Sequence, residues 1–219
     1  MKSTHNNATV ENKVQVSRFY MGVKAVLDFV FALTALLILL PFLFIFAALI
    51  YLADFHSPFY FQERIGKDGK PFRIIKFRSM RYDAHELEKY FSPEQLEKFN
   101  SEFKVENDPR ITRIGRFIRK FSIDEFPQLL NVLAGQMSLV GPRPLTLNET
   151  YFFGEDRDTL LSVRPGITGL WQVSGRNALT YESGKRQECE IRYVKNFGIL
   201  MDIKVIFKTF GAVIKGSGI

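Results

Sequence analysis

The residues best suited to chemistry are an adjacent acidic pair, Asp124 and Glu125, and three stiff loops that carry arginines. The loops span residues 141–144, 164–169 and 174–176. Their prolines and glycines restrict the backbone around each guanidinium, which lowers the ordering cost when that group clamps a phosphate. Three such loops soon after an acidic pair indicate a phosphate-binding site.

The acidic pair also has a purely structural interpretation. Ser122 can cap a new helix, and Asp124 and Glu125 then lie in its first turn, where the helix dipole stabilises carboxylates. Each loop, taken alone, is explained as a turn with an exposed arginine. The residue pattern therefore leaves the structural and the catalytic roles both open.

The composition of the chain favours some classes of partner and excludes some kinds of site. The chain has 219 residues and a net charge of +7, which points to an anionic partner such as a phosphate, a nucleic acid or a lipid surface. Cys189 is the single cysteine, so a disulfide framework within the chain is excluded and a reducing compartment is favoured. The 3 histidines are scattered, which argues against a zinc site.

An uncharged apolar segment, residues 29–53, lies upstream of these groups. A helix of this length reaches about 37 Å, enough to cross a hydrocarbon core of about 30 Å. Pro41 lies at its centre and predicts a kink. The pattern is compatible with a helix that spans the membrane and with a re-entrant helix that bends at Pro41 and returns to the same leaflet.

Basic residues flank this segment on both sides. Residues 63–81 hold seven bases and two acids, so this side is predicted to be cytoplasmic. Lys13, Arg18 and Lys24 make the upstream side basic as well, as a re-entrant helix requires. N-terminal bases are translocated when a stronger cluster opposes them, so charge leaves both topologies open.

The remaining pattern predicts how the chemical groups are positioned. Residues 59–65 and 71–80 read as strands of a hairpin around the turn 66–69. Residues 83–98 predict a solvated helix that is interrupted before Pro93, where Ser92 caps a second helix.

Two further helices have an amphipathic pattern. Residues 111–121 predict a basic helix, lying on an anionic surface or packed on the core. Residues 199–214 predict a helix that packs on the core, the commoner fate, or lies in the membrane interface. The apolar face of this last helix contains Ile199, Ile203, Ile206, Phe207, Phe210 and Ile214.

Five strings occur in order: KFRSM at 76–80, ITRIG at 111–115, SIDEFPQLLNVL at 122–133, MSLVGPRP at 137–144 and RPGITGLWQ at 164–172. Together they make the sequence resemble the bacterial sugar transferase family, the monotopic phosphoglycosyl transferases. The resemblance runs from about residue 23 to the C-terminus.

The resemblance implies a reaction. A nucleotide diphosphate sugar, usually a UDP-sugar, donates its sugar-1-phosphate to undecaprenyl phosphate with release of UMP, which initiates polysaccharide or glycan assembly. By this match Asp124 is the nucleophile that forms a covalent phosphosugar-enzyme. Glu125 matches the carboxylate that assists Mg²⁺ binding, so the acidic pair is the implied metal site.

The resemblance also implies groups that bind the substrate. Lys76, Arg119 and Arg143 match basic positions around the substrate phosphates, and Arg143 is the firmest because its whole loop matches. Arg176, in the third stiff loop, completes the predicted substrate-binding set. One departure is Phe126, which replaces the leucine that often follows the acidic pair.

The implied fold is mainly α with a small β hairpin: one re-entrant membrane helix followed by a compact interfacial catalytic domain with amphipathic helices. The expected organisation is a tail over 1–22, a membrane-inserted helix over 23–55 bent at Pro41, and a catalytic domain over 56–219. That domain is expected on the cytoplasmic face of the bacterial inner membrane. Leu40 precedes Pro41 where the family often has serine, so a polar support for the bend is missing.

Other functions remain open beside the transferase. A membrane-anchored basic module would bind anionic lipid or nucleic acid. The sequence disfavours this module, because the basic residues alternate with rigid Pro/Gly loops and not with stacking aromatics. A nucleotide-sugar hydrolase would use the same site with water as acceptor. The expected partners are thus the donor, undecaprenyl phosphate and membrane lipids, with self-association through the helices left open.

Overall fold

The computed structural model describes residues 18–102, 105–175 and 179–214. Within these ranges the fold is mainly α with a small β hairpin, as predicted. The helices are α1 (Arg18–Asp54), α2 (Leu87–Tyr90), α3 (Pro93–Glu102), α4 (Arg113–Lys120), α5 (Leu129–Leu133), α6 (Leu147–Thr150), α7 (Arg157–Leu161), α8 (Leu170–Val173), α9 (Lys185–Asn196) and α10 (Ile199–Ile214). The strands are β1 (Phe59–Ile65), β2 (Pro71–Phe77), β3 (Ser138–Val140) and β4 (Gly166–Thr168), and 3₁₀ turns cover Lys67–Gly69, Ile123–Gln128 and Tyr151–Asp156.

The predicted hairpin is confirmed. Strands β1 and β2 pair antiparallel, with Phe59 opposite Phe77. The second strand ends at Phe77, before the expected residue 80, and Met80 forms a single bridge with Ile111 instead.

A second, parallel pair of strands joins two of the stiff loops. Strands β3 and β4 run side by side, with Ser138 opposite Gly166. A Cβ atom on Gly166 would lie 2.1 Å from the backbone nitrogen of Gly141, so only glycine allows this approach. The sequence did not predict this pair, because three-residue strands are too short to show an alternating pattern.

Helix α1 is 37 residues long and continues through Pro41. It begins at Arg18, upstream of the predicted boundary at residue 23. Among the described residues it is the one helix long and apolar enough to cross a membrane. Most of its apolar side chains are exposed, so the rest of the described chain does not cover them.

Both halves of α1 nevertheless contact the rest of the protein along one side. A cluster on the N-terminal half contains Ala32, Phe72, Ile74, Leu129, Val132 and Met137. A cluster on the C-terminal half contains Ile50, Phe77 and Ile118. The acidic-pair segment and β2 therefore pack directly against the apolar helix.

Helix α10 has the predicted bounds, but its apolar face is not part of the core. Five of the six residues predicted to share this face are exposed, among them Phe207 (73%) and Phe210 (64%). The residues of this helix that the core buries are Asp202 and Val205, and of the predicted face only Ile206 packs against the core. The expectation of core packing for this face is therefore wrong, since an amphipathic pattern does not specify which environment covers the apolar side.

Candidate active site

The acidic pair lies in the 3₁₀ turn that follows α4. The predicted capping role of Ser122 is wrong: Ser122 has φ 55° and its side chain makes no capping hydrogen bond. Its backbone N–H donates to Arg119 O at 3.0 Å. Ser122 therefore ends α4 as a left-handed C-terminal residue, and the chain turns there to present Asp124 and Glu125.

Two separate segments bring positively charged groups to Glu125. Lys76, from β2, donates from Nζ to Glu125 Oε1 at 2.9 Å. Arg143, from the loop after β3, has its Nη1 atom 4.0 Å from the same oxygen. Asp124 is only 8% exposed, so a carboxylate next to these cations is shielded from water. This geometry joins four of the residues that the sequence singled out.

Burial lowers the pKa of two basic residues around the acidic pair. It lowers the pKa of Lys76, and the nearby Glu125 carboxylate opposes this shift. It also lowers the pKa of Arg119, with Asp124 as the largest opposing charge. Arg119 thus lies within the electrostatic reach of the pair, and its role in binding substrate phosphates stays a prediction. Partly desolvated cations of this kind favour the approach of an anionic ligand.

Arg176, the remaining predicted substrate-binding residue, lies outside the described residues. Its predicted role stays a prediction.

Sequence reasoning missed Arg64, which holds the Arg143 loop. Arg64 is buried, and its Nη1 atom donates to Glu149 Oε2 at 2.8 Å and to the Pro144 carbonyl at 3.1 Å. The only signal in the sequence was membership in the basic run between residues 63 and 81.

Glu190 supports the same loop from the other side and was also missed. The backbone N–H of Arg143 donates to Glu190 Oε1 at 3.2 Å. Burial raises the pKa of Glu190 to about 7. The Arg143 guanidinium lies 5.6 Å from the Trp171 ring, so an aromatic face limits where it can point.

Two glutamines, Gln128 and Gln172, line a small cavity beside Glu125. Both lie inside strings that carry the family resemblance, yet the sequence assigned neither a role. The sequence does not show that a glutamine amide is buried at a site, because the residues around it come from distant segments.

The acidic pair fits a metal that arrives with phosphates. No group of three or more His, Cys, Asp or Glu side chains that could hold a metal occurs among the described residues. Mg²⁺ takes one or two carboxylates and completes its shell with substrate phosphates and water, so Asp124 and Glu125 are sufficient protein ligands.

Comparison with known proteins shows which family the chain resembles. The family model described as bacterial sugar transferase matches residues 19–216. The UDP-galactose-lipid carrier transferase of Erwinia amylovora is 46% identical over 92% of this chain and 42% of its own length. The exopolysaccharide production protein ExoY of Rhizobium meliloti is 40% identical over 87% of this chain and 85% of its own length.

A third relative is the undecaprenyl-phosphate galactose phosphotransferase of Salmonella typhimurium, which is 46% identical over 73% of this chain. The chain spans less than half the length of the Erwinia and Salmonella proteins, with 42% and 34% of them covered. The family model nevertheless covers nearly every described residue, including all segments of the site. By this match, the chain belongs to the bacterial sugar transferase family.

Proposed function

We propose that the protein transfers a sugar-1-phosphate from a UDP-sugar to undecaprenyl phosphate and releases UMP. The observation that carries this proposal is the convergence of Lys76 and Arg143 on Glu125, next to the buried carboxylate of Asp124. The site thus combines a nucleophile with cations that bind phosphates. The names of the relatives, two of which mention galactose transfer to a lipid carrier or undecaprenyl phosphate, support the same reaction.

In the first step, an Asp124 carboxylate oxygen attacks the sugar-bearing phosphorus of the donor. The new bond is an acyl-phosphate, and the bond that breaks joins this phosphorus to the bridging oxygen, which leaves with UMP. Lys76, Arg119 and Arg143 stabilise the charge that develops on the phosphate oxygens.

In the second step, a phosphate oxygen of undecaprenyl phosphate attacks the same phosphorus. The acyl-phosphate bond breaks, the Asp124 carboxylate is regenerated, and the lipid carries a diphosphate sugar. Two steps allow the two large anionic substrates to react in turn at one carboxylate.

Asp124 and Glu125 would hold Mg²⁺ together with the donor diphosphate, where the ion would neutralise negative charge. Glu125 already contacts Lys76 through one oxygen, Oε1. The protein's own contribution is to keep the two carboxylates adjacent and partly desolvated.

We also propose that α1 is re-entrant, bent at Pro41, and holds the catalytic domain on the cytoplasmic face. Support comes from its N-terminal part, where Lys24 Nζ bonds to Asp202 Oδ2 at 2.6 Å. One turn later, Asp28 accepts hydrogen bonds from Ser138 Oγ at 2.7 Å and from Leu139 N at 3.1 Å. This part of α1 therefore contacts the catalytic domain through buried polar groups.

The other end of α1 contacts the same domain. Arg78 of the segment after β2 donates to both carboxylate oxygens of Asp54 at 2.5 Å. A helix that crossed the bilayer would have its ends about 30 Å apart on opposite faces. Polar anchoring of both ends to one domain therefore favours a helix that enters and leaves through one leaflet.

The topology is tested by accessibility labelling. A cysteine introduced at Ser3, in a Cys189→Ser background, should be shielded from a membrane-impermeant thiol reagent in intact cells and labelled after lysis. A control cysteine at Lys98, in the catalytic domain, should behave in the same way. Labelling of position 3 in intact cells would overturn the re-entrant topology.

The activity is tested with purified protein, Mg²⁺ and undecaprenyl phosphate against UDP-galactose, UDP-glucose and UDP-N-acetylgalactosamine. At least one donor should release UMP, and Asp124→Asn should abolish both turnover and the phosphosugar adduct on the peptide that contains residue 124. Full activity of this variant would exclude the nucleophile.

Two outcomes would favour other functions. Sugar phosphate released without lipid would indicate a hydrolase. Salt-sensitive lipid binding that survives loss of both carboxylates, without UMP release, would indicate a basic binding module.

A further inference from the structure

A small cavity lies beside Glu125, between β2, the acidic-pair turn and the two paired stiff loops. Its volume is about 10 Å³, which is close to the space of one water-sized group. The polar residues that line it are Arg64, Lys76, Glu125, Gln128, Arg143 and Gln172.

Two buried donors that line this cavity have no hydrogen-bond partner among the described residues. One is Nε2 of Gln128, a side chain that is only 2% exposed. The other is Nε of Arg64, whose Nη1 atom is already bonded to Glu149. Buried polar groups are nearly always paired in folded proteins, so two unpaired donors at one cavity point to a ligand that accepts from them.

One buried acceptor lines the same cavity. Gln172 donates from Nε2 to the Ile167 carbonyl at 2.9 Å, which fixes the orientation of its amide. Its Oε1 atom is buried and has no partner within the described part of the chain. A Cβ atom on Gly169 would lie 2.2 Å from the Gly141 carbonyl oxygen and 3.0 Å from Gln172 Oε1, so only glycine fits beside this acceptor.

We propose that Gln128, Gln172 and Arg64 bind one hydroxyl group of the donor sugar, an inference that rests on the proposed function. A hydroxyl has two acceptor lone pairs and one O–H donor. These match the two unpaired donors and the one unpaired acceptor. A phosphate oxygen accepts but cannot donate to Gln172 Oε1, and a nucleobase is far larger than the cavity.

The position of the cavity agrees with a sugar. Glu125 lines it and is adjacent to Asp124, the carboxylate that carries the phosphosugar in the proposed reaction. The sugar is therefore the part of the donor that stays beside this cavity after UMP has left. A site that pairs a buried hydroxyl discriminates strongly against a sugar that lacks it, because its polar groups are then left unpaired.

The test combines substrate and enzyme changes. The most active donor of the panel is compared with its monodeoxy analogues, in the wild type and in Gln128→Met and Gln172→Met. In the wild type, one deoxy analogue should lose at least about tenfold in kcat/KM. Each variant should lose activity on the parent sugar, and the additional penalty for that one analogue should disappear.

Gln187→Met is the matched control. Gln187 also has a buried Oε1 atom without a partner among the described residues, but it does not line the cavity. This variant should keep the wild-type discrimination between the parent sugar and the deoxy analogue.

A binding measurement shows whether the cavity binds the sugar or the nucleotide part of the donor. The parent UDP-sugar should stabilise the wild type against thermal unfolding more than UDP does, and this excess should vanish in Gln172→Met. If UDP alone accounts for the glutamine-dependent stabilisation, the group belongs to the nucleotide and the proposal fails.

Failure of this inference is distinguishable from failure of the proposed function. Equal losses on all donors in Gln128→Met and Gln172→Met, with UMP still released, would mean that the cavity holds a water and would overturn the sugar subsite alone. Absence of UMP release by the wild type with every donor would overturn the proposed function.

Discussion

Lys76, near the end of β2, donates from Nζ to Glu125 Oε1 at 2.9 Å. This contact joins the hairpin to the acidic-pair turn, although the two residues lie 49 positions apart in the chain. It holds Glu125 in place and brings a half-buried positive charge to the carboxylate next to the proposed nucleophile. Because of this contact, substitution of Lys76 is the most direct test of how the site binds phosphates.

Replacement of Lys76 by Met should lower kcat/KM for UMP release by about 10²-fold or more, because the proposed half-buried donor to the reacting phosphates is lost. Arg73→Met is the control, since Arg73 lies exposed on the same strand. Steady-state UMP release measures both. Equal activity of the two variants would contradict the role of Lys76.

The double anchoring of α1 predicts a non-additive effect of charge removal. Asp202 accepts hydrogen bonds from Lys24 Nζ at 2.6 Å and from the Tyr193 hydroxyl at 2.7 Å. Asp202→Asn leaves the half-buried Lys24 ammonium without its hydrogen-bonded carboxylate, with only Asp28 Oδ1 at 3.8 Å as a charged partner. Lys24→Met with Asp202→Asn removes both charges of the lost pair.

We expect the Asp202→Asn single variant to unfold at a lower temperature than the double variant. Thermal unfolding of the protein in nanodiscs measures this difference. If the double variant unfolds at the same or a lower temperature than Asp202→Asn, the contact between α1 and α10 contributes no coupling and the anchoring argument is wrong.

The buried carboxyl of Glu190 predicts a pH-dependent stability. Its pKa is raised from 4.5 to about 7 by burial, so between these values the folded state holds a proton that the unfolded state has lost. The free energy of unfolding should therefore fall as pH rises from about 4.5 to about 7, by roughly 3 kcal/mol for this group.

Glu190→Gln mimics the protonated carboxyl and should remove most of this slope. Thermal unfolding at several pH values between 5 and 8 measures it, with Glu188→Gln, exposed on the same helix, as the control. A slope that persists unchanged in the Glu190 variant would show that other groups cause it.

The exposed face of α10 predicts contact with the membrane interface. Phe207 is exposed and apolar, whereas the next residue, Lys208, is exposed and charged and points away from the apolar face, since successive residues of a helix are about 100° apart. A solvatochromic label on a cysteine at position 207, in a Cys189→Ser background, should emit at shorter wavelength in vesicles than the same label at position 208. Equal emission wavelengths at both positions would mean that the apolar face of α10 is in water.

Local residue patterns and the matching strings were enough to predict several elements of the fold and several residues of the site. The bounds of β1 and α10 and the positions of Asp124, Glu125, Lys76 and Arg143 follow from residues that are close in sequence. Alternation, helical spacing and turn residues act within a few positions, so a sequence contains this information directly.

Ser122 illustrates where local reasoning failed. A serine before two acids is a good helix cap, but here it has a left-handed backbone because α4 must end and the chain must turn towards β2. The competing role was visible only once the packing of α4 against α1 and β2 was known.

Composition and residue spacing were sufficient to predict the apolar helix, the hairpin and the identity of the charged residues around the acidic pair. Tertiary structure alone decided that Arg64 and Glu190 hold the Arg143 loop, that Gln128 and Gln172 share a cavity, and that the apolar face of α10 is exposed. The physical reason is that desolvation and hydrogen-bond pairing depend on contacts between segments far apart in the chain, which no local pattern encodes.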